Sequence, residues 1–460
     1  MRAFFKSKYM HKSLAYFFVL NLSFYIVTYL LGLERVLINF DYLWVLGLIA
    51  LNFKKSANLV FIVVFLSDVL LIIGQIFPFS RLIDIIYISK FIWVSATYYQ
   101  ILFIALSLIL VFLIFVHFKI NVEKKPWQIL FIGMAILFIG ETIYLQNSHH
   151  VQQKMEFSEH SLIDSLTKHF IFLQFKGMKQ AAREQQTQVV SIKPTATKLD
   201  LEQRLLSNEK PQAVLFILDE SLGAPKDNAV LNAMLSPLVK QKAILKDWHL
   251  SKIVYTGATV QAELRELCQV QAQNFNLQHL EQGFEYCLPH YFNEQGYTTT
   301  AVHGALGLMY DRKYWYPRAG FQNLVFRDTQ QWKTRCYSFP GVCDREVAER
   351  ISDIFKQSPK SFVYWLTLNT HTNYDLRDVE KDLFDCQKYG IASSSEVCRN
   401  LKLQTQFFDT LANLIQQPHM DGVEVFLVGD HTPSIINRND KQAYFDGDHV
   451  LSLKFVINQD

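Results

Sequence analysis

Residues 213–221 read AVLFILDES, a run of six apolar side chains followed at once by two carboxylates and a serine. A continuous apolar run of this length predicts a strand buried on both faces, as in a parallel sheet covered by helices. Similar runs alternate with helix-like segments down the chain, so we expect an α/β domain with a mostly parallel central sheet over residues 211–460. The other predicted strands are 252–255, 298–302, 361–368, 423–428 and 453–457, and the predicted helices are 286–295, 344–357 and 401–417.

Three of these strands end on side chains that can carry chemistry. Glu220 follows the first strand, His371 follows the run SFVYWLTL, and Asp430 and His431 follow VEVFLV. Ligands of parallel α/β sheets bind beyond the carboxyl ends of the strands, so these side chains are candidates for one site. The Asp430–His431 pair combines a carboxylate oxygen with an imidazole nitrogen, a mixture that suits zinc or manganese. Taken singly, Glu220 is equally well explained as a helix N-cap and His371 as a structural histidine.

Five short motifs occur in order along the second part of the chain. They are FILDES (216–221), TGATVQAEL (256–264), MYDRKYWYPRAGF (309–321), TLNTHTNYDL (367–376) and VGDHTP (428–433). By these motifs the chain resembles the sulfatase-fold lipid-headgroup phosphotransferases of the alkaline phosphatase superfamily, which include lipoteichoic acid synthases and lipopolysaccharide phosphoethanolamine transferases. The likeness covers roughly residues 211–457.

The resemblance implies an alkaline-phosphatase/sulfatase-like α/β/α domain with a divalent metal, zinc or alternatively manganese. Its ligands would be Glu220, Thr259, Asp430 and His431. Thr259 would be the nucleophile, because bound metal lowers the pKa of a hydroxyl that is otherwise weakly nucleophilic. The threonine would take the phosphoester from a phospholipid, expel diacylglycerol and pass the group to an acceptor hydroxyl. Without the flanking motif, Thr259 would be an ordinary turn residue after Gly257.

Four further residues are candidates for the site, of which Arg312 and His371 match family positions. Arg312 would contact the phosphoryl group or headgroup, where a planar guanidinium suits phosphate oxygens; the alternative is a surface charge. His371 would protonate the leaving oxygen or activate the acceptor. His303 and His449 are candidate substrate-binding residues near the metal, for a second shell or a second metal, and a purely structural role explains them equally well.

Transfer of phosphoethanolamine from phosphatidylethanolamine to lipopolysaccharide or another envelope glycan is the function we expect. Phosphoglycerol transfer of the lipoteichoic acid synthase type is the alternative. Sulfate-ester hydrolysis is disfavoured because the chain has no C-x-P-x-R or S-x-P-x-R sequence. A non-catalytic envelope scaffold and a transporter are the competing classes. A net charge of +3 without a basic run gives no indication of nucleic acid binding.

The first 145 residues have a different composition, dominated by Phe, Ile, Leu, Val and Tyr. A bilayer core needs about 20 helical residues to cross. We therefore predict an all-α transmembrane domain over 1–145 with about five spans. The spans are 13–33, 40–53, 57–78, 98–118 and 127–145, and residues 82–97 fit an interfacial or re-entrant helix better.

Lys and Arg set the orientation of these spans, since they accumulate in cytoplasmic loops. The N-terminal tail, the turn at Lys54 and Lys55, and the loop around Lys124 and Lys125 are the basic ones. An odd number of spans then places everything after Leu145 outside the cytoplasm. We expect a multi-pass protein of a bacterial inner membrane whose catalytic domain lies in a Gram-negative periplasm.

All six cysteines lie in this exported part, which favours disulfides in an oxidising compartment. Proximity in sequence suggests three pairs, although six cysteines allow about 15 connectivities. The suggested pairs are Cys268–Cys287, Cys336–Cys343 and Cys386–Cys398.

Residues 146–210 are predicted to connect the two domains. Leu162, Leu166, Phe170 and Leu173 recur at helical spacing, which indicates either an amphipathic helix on the outer membrane surface or a core-packed helix. The polar stretch 181–200 has no periodicity and predicts an exposed linker.

Overall fold

The structure of the chain is a computed structural model. It describes residues 8–30, 35–76, 92–94, 97–120, 163–167, 189–206, 210–272, 277–435 and 437–459. Two compact units divide the chain, one formed by residues 1–82 and 101–185 and the other by residues 83–100 and 186–460.

The N-terminal part is helical. Four of the five predicted spans fall on helices, and the fifth, 127–145, lies outside the described residues, as do Leu162, Phe170 and Leu173 of the predicted amphipathic helix. Within the described ranges, only Lys54–Ile72 is both long and apolar enough to cross a membrane. The helices are α1 (Lys8–Leu30), α2 (Tyr42–Ala50), α3 (Lys54–Ile76) and α4 (Thr97–Lys119), and two short strands, β1 (Ile38–Asn39) and β2 (Ile163–Asp164), pair in parallel.

One carboxylate lies within the apolar surface of helix α3. Asp68 accepts two hydrogen bonds from Arg35, at 2.8 and 2.7 Å, and a third from the hydroxyl of Tyr42 at 3.2 Å. A buried charge that is paired and hydrogen-bonded in this way is held in one geometry. The bonds from Arg35 and Tyr42 therefore explain how the carboxylate of Asp68 can be buried in an apolar helix.

The C-terminal unit is built on an eight-stranded mixed sheet in the order β5-β12-β11-β4-β10-β8-β9, with β6 pairing on β12. Strands β11, β4, β10, β8 and β9 run parallel, whereas β12 runs antiparallel to β11, β5 and β6. A separate antiparallel pair joins β3 to β7. The bounds are β3 (Val189–Ser191), β4 (Ala213–Asp219), β5 (Gly223–Pro225), β6 (Leu245–Val254), β7 (Val270–Ala272), β8 (Thr298–His303), β9 (Asn323–Val325), β10 (Ser361–Leu366), β11 (Val423–Gly429) and β12 (Phe445–Ile457).

Helices cover both faces of this sheet. Alternation along β4 explains the two layers, because Leu215 and Ile217 enter one apolar core and Phe216 and Leu218 enter the other. Helices α6, α10 and α11 pack on the first face, and α5, α7, α8 and α9 on the second. The helices are α5 (Ala196–Leu206), α6 (Asn228–Val239), α7 (Thr259–Cys268), α8 (Leu288–Glu294), α9 (Arg312–Arg318), α10 (Asp344–Gln357), α11 (Glu396–Ile415) and α12 (Arg438–Tyr444).

The predicted α/β/α architecture with a mostly parallel sheet is confirmed, and the differences lie at its edges. Strands β6 and β12 are longer than the predicted 252–255 and 453–457, because their outer residues are partly exposed and polar and so break the apolar pattern. The expected linker 181–200 is wrong in its second half. Strand β3 pairs with β7 there, and helix α5 buries Leu201 and Leu205 in the second core.

Three disulfides close the C-terminal unit. They join Cys268 to Cys287, Cys336 to Cys343 and Cys386 to Cys398. The pairing of sequence neighbours is thereby confirmed.

Candidate active site

The carboxyl edge of the parallel strands gathers the predicted functional residues. Glu220 follows β4, His303 ends β8, His371 follows β10, and Asp430 and His431 follow β11. Strand β6 runs parallel to β11 and leads into Thr259 at the same edge. Strand β12 runs the other way, so His449, near its beginning, also lies at this edge.

Four of these residues meet. The Thr259 hydroxyl donates to Oε2 of Glu220 at 3.1 Å. Nε2 of His431 lies 3.3 Å from Oε1 of Glu220 and 3.3 Å from Oδ2 of Asp430. Glu220, Asp430 and His431 are buried, and their ligand atoms all lie within 4.8 Å of one another. Thr259 remains partly exposed, so its hydroxyl faces the cluster and is also open to substrate.

These residues fit a divalent cation. Among the described residues, Oδ2 of the neighbouring Asp219 is buried without a hydrogen-bond partner, and Oδ2 of Asp430 is buried with Nε2 of His431 at 3.3 Å. Uncompensated carboxylate oxygens of this kind are costly in a protein interior unless a cation or proton meets them. Two carboxylates and one imidazole form a donor set of the type that zinc and manganese accept.

Three histidines of the edge are oriented in the same way. The Nδ1 atoms of His431, His303 and His371 each contact a backbone carbonyl, that of Thr432, Leu366 and Thr372 respectively. A carbonyl oxygen only accepts, so each Nδ1 carries the proton. Such a bond fixes the orientation of the ring and leaves Nε2 as the nitrogen that can bind a metal or exchange a proton.

Electrostatic coupling within the cluster is strong. Burial and then the charge of Glu220 raise the pKa of Asp430 to about 7. Burial lowers the pKa of His431, but Asp430 and Glu220 outweigh it and raise that pKa to about 9. For Glu220, burial raises the pKa and is outweighed by His371 and His431, so the pKa falls below its usual range. The carboxylates of Glu220 and Asp430 therefore favour a positive charge beside them.

Neighbouring residues that the sequence did not single out hold the Glu220 loop in place. Ser221 has a left-handed backbone (φ 59°). Its amide donates to Oδ1 of Asp430 at 2.8 Å and its hydroxyl to Oε1 of Glu220 at 3.1 Å. From helix α11, Gln404 donates to the carbonyl of Glu220 at 3.0 Å. A strained residue held by several bonds is typical of a functional site.

The turn before Thr259 requires glycine. Gly257 has φ +82°, and a Cβ there would lie 2.5 Å from Cβ of Gln261. The turn delivers Thr259 to the first position of the ten-residue helix α7, after Ala258 as N-cap. Backbone N–H groups at a helix start favour an anion such as a phosphoryl group.

Arg312 lies deeper than the sequence suggested. Its Nε and Nη2 atoms contact Oε2 of Glu263 at 3.0 and 2.7 Å, and both side chains are buried. The hydroxyls of Tyr316 and Tyr364 donate to the same glutamate. This edge of the guanidinium is therefore occupied by a protein carboxylate, which rules out the alternative of a surface charge.

The remaining histidines differ in exposure. His303 is 4% exposed, whereas His371 is half-buried with its ring against Phe339. Burial, followed by the charge of Arg312, lowers the pKa of His303. Among the smaller contributions, Glu220 raises this pKa and His371 lowers it. His449 keeps about a third of its side chain exposed, and its Nδ1 contacts Asp446 at 3.0 Å. Electrostatic interactions thus link His303 to Arg312, Glu220 and His371, and link His371 to Glu220, whereas His449 is half-exposed and pairs with Asp446.

A buried carboxylate–imidazole cluster beside a threonine at a helix start, on the carboxyl edge of a covered parallel sheet, defines an α/β protein with a candidate metal centre. A family model described as Sulfatase matches residues 212–451, just over half of the chain. The chain belongs to the sulfatase family, within the superfamily that the motifs resemble. No curated protein sequence matches it.

Several solved structures are similar to the chain. The lipoteichoic acid synthase LtaP of Listeria monocytogenes is 14% identical, with 57% of this chain and 72% of that chain covered and a TM-score of 0.42. The phosphoglycerol transferase GacH of Streptococcus pyogenes, in complex with sn-glycerol-1-phosphate, is 16% identical, with 57% and 78% covered and a TM-score of 0.37. The periplasmic domain of EptC from Escherichia coli, in a complex with zinc, is 12% identical, with 54% and 73% covered and a TM-score of 0.35.

Proposed function

We propose that the chain is a metal-dependent phosphotransferase that moves phosphoethanolamine from phosphatidylethanolamine to a cell-envelope glycan or glycolipid such as lipopolysaccharide. The observation that carries this proposal is the bond from the Thr259 hydroxyl to Glu220, at the mouth of a buried carboxylate–imidazole cluster. Membership of the sulfatase family supports ester chemistry at such a cluster. The lack of a C-x-P-x-R sequence favours phosphate over sulfate esters.

Thr259 is the nucleophile in this proposal. Glu220, Asp430 and His431, together with the Thr259 oxygen, would hold the divalent metal, zinc or manganese. When bound, the cation supplies positive charge that favours the ionised hydroxyl and stabilises a phosphoryl oxygen. The Thr259 oxygen bonds to phosphorus while the bond to the glycerol oxygen breaks, and diacylglycerol leaves with a proton. An acceptor hydroxyl then takes the group from phospho-Thr259, and Thr259 regains its proton.

Proton transfer is assigned to His371. Its Nδ1 proton is held by the carbonyl of Thr372, so Nε2 can accept a proton from the acceptor or, once protonated, give it to the leaving oxygen. Arg312 would meet a phosphoryl oxygen through Nη1 and the second N–H of Nη2, since Glu263 takes the edge formed by Nε and Nη2. The buried His303 would hold Arg312 and His371 in position, and the half-exposed His449 would contact the substrate.

The domain arrangement of the proposal is a membrane domain over 1–145 with about five spans, a connector over 146–210 and a periplasmic domain over 211–460. The three disulfides of the C-terminal unit support an oxidising compartment. The helix Lys54–Ile72 supports membrane insertion. Because β3 and α5 pack within the C-terminal unit, residues 189–206 at the end of this connector would fold together with the periplasmic domain.

The test uses the full chain in lipid nanodiscs with zinc. Phosphatidylethanolamine labelled in its ethanolamine and phosphatidylglycerol labelled in its free glycerol are supplied in parallel, without acceptor. We expect label from phosphatidylethanolamine on the protein, located at Thr259 by mass spectrometry and removed when lipopolysaccharide is added. Thr259→Ala should abolish labelling, whereas Thr256→Ala, three residues earlier and exposed, should retain it.

Each other outcome has a defined meaning. Label from phosphatidylglycerol alone would make the chain a phosphoglycerol transferase. If neither donor labels the protein and Thr259→Ala fully complements a deletion strain, the chain is a non-catalytic envelope scaffold. Mass spectrometry of the glycolipids of that deletion strain identifies the acceptor.

A further inference from the structure

Several exposed apolar side chains lie on loops at the carboxyl edge of the sheet, the edge that carries the candidate active site. Leu308, Tyr314, Tyr337 and Leu376 are 42%, 37%, 51% and 44% exposed, and together we call them the apolar rim. Leu308 and Tyr314 follow β8, Tyr337 follows β9, and Leu376 follows β10. These strands are parallel, so all four side chains lie at the carboxyl edge, on the side of Thr259 and His371.

Mutual contacts tie most of the rim together. The amide of Val342 donates to the carbonyl of Gly304 at 2.9 Å, which joins the Tyr337 loop to the end of β8. The amide of Tyr337 donates to Asp378 at 2.7 Å, and the amide of Asp375 donates to the hydroxyl of Ser338 at 2.9 Å. Beneath them, Ala305, Phe339 and Leu368 form one small apolar core. The rim is therefore a surface on linked loops.

Positive charge accompanies the rim. Nζ of Lys313 lies 4.8 Å from the ring of Tyr314, and the guanidinium of Arg377 lies 4.0 Å from the ring of Tyr337. Arg377 is also paired with Asp375. Tyrosine rings, aliphatic side chains and flanking Lys or Arg are the mixture that occupies the interface of an anionic bilayer, where apolar parts enter and cations stay at the headgroups.

We infer that the apolar rim docks the catalytic edge on a phospholipid surface, so that the donor reaches Thr259 without leaving the bilayer. This inference rests on the proposed function, because a lipid donor is what makes such docking useful. Charge complementarity favours this occupant through Lys313, which suits anionic headgroups, whereas Arg377 is already paired with Asp375. A water-soluble donor would need no contact with the rim.

A comparison of two forms of the same donor separates the contribution of the apolar rim from that of the catalytic residues. The full chain in nanodiscs receives either the long-chain donor that it uses, embedded in the bilayer, or the dihexanoyl analogue, dissolved as monomers. For Leu308→Glu/Leu376→Glu we expect kcat/KM to fall about tenfold or more with the embedded donor, because carboxylates are expelled from the interface, and less than about twofold with the soluble one. Val239→Glu is the matched control, since Val239 is also 42% exposed but ends helix α6 at the opposite edge of the sheet.

Equal losses with both donors would overturn the inference and assign the rim to a protein or polymer partner. A wild type that uses neither donor would contradict the proposed function instead. Cross-linking to a diazirine-bearing phospholipid tests the rim without catalysis, and Thr259→Ala can serve for it. We expect labelled peptides from residues 304–318 and 335–378. Label confined to the N-terminal helices would overturn the docking inference.

Discussion

The hydroxyl of Thr367, at the end of β10, donates to Oδ1 of Asp219, at the end of β4, across 2.9 Å. The same hydroxyl accepts the amide of Glu220 at 2.8 Å. One buried side chain thus sets the distance between the loop that carries Glu220 and the loop that carries His371. Both strands are central in the sheet, so this bond transmits their register to the candidate metal centre.

Thr367→Val should weaken both the fold and the site. Valine keeps the shape but leaves Asp219 and the amide of Glu220 without this partner, which costs about 1–3 kcal/mol of unfolding free energy. Metal affinity should fall about 10–100-fold, as for other residues that orient ligands. Thermal unfolding and zinc titration measure these effects, and Thr410→Val, on the partly exposed side of α11, is the control. An unchanged zinc affinity would contradict this role.

Arg312→Met should destabilise the protein mainly through Glu263. That carboxylate is buried, and removal of its guanidinium partner leaves a charge in the core at a cost of about 3–5 kcal/mol. Arg312→Met/Glu263→Gln should recover part of this loss, because the buried charge is then gone. Denaturant unfolding of the three proteins decides. If Arg312→Met keeps wild-type stability and loses only activity, Arg312 acts on substrate alone.

The sheet was predictable because its central strands are buried on both faces and therefore read as apolar runs. Strand β6 shows the limit of that signal: after the buried Leu245, each residue up to Val254 is exposed or half-buried, so the sequence predicts only the last part of the strand. Helix α5 illustrates a second limit. Its buried residues are Leu201 and Leu205 together with the polar Thr197 and Lys198, and two apolar residues do not produce a clear helical period.

The site was predictable where motif and strand end coincide, as at Glu220 and Asp430. The residues that hold the site in place were not predictable, because Gln404 and Thr367 act through contacts with residues 184 and 147 positions away in the chain. For Arg312 the position was predictable and the surroundings were not. The motif gave its position, but the sequence could not reveal that Glu263, 49 residues earlier, would occupy one edge of the guanidinium.

Zinc should stabilise the protein through the carboxylate–imidazole cluster. At about 100 times the dissociation constant, a ligand of the folded state adds about 2.7 kcal/mol. Glu220→Gln and Asp430→Asn should lose most of this gain in stability. Asp446→Asn, which changes a half-exposed carboxylate outside the cluster, should retain it. Thermal unfolding with zinc and with chelator measures the difference. Equal stabilisation of wild type and Glu220→Gln would place the metal elsewhere.

His371→Gln should slow transfer without loss of zinc. Removal of a general acid or base lowers turnover by about 10²–10⁴-fold. The metal ligands stay intact, so zinc content should equal that of wild type. Single-turnover labelling separates the two steps: slow formation of phospho-Thr259 assigns His371 to the leaving oxygen, and slow decay assigns it to the acceptor. Wild-type rates for both would exclude His371 from catalysis.

His303 should make the protein sensitive to acid. Burial, with the charge of Arg312 second, lowers its pKa from 6.5 to about 3 in the folded state. Between these values the unfolded chain binds a proton that the folded one does not. Stability therefore falls as the pH drops from 6.5 toward 3, by about 1.4 kcal/mol per pH unit from this residue. His303→Gln, which can still donate to the carbonyl of Leu366, should reduce the slope of unfolding free energy against pH by that amount. His249→Gln, at an exposed position on β6, should leave the slope unchanged, and a wild-type slope for His303→Gln would show that His303 is protonated in the folded protein.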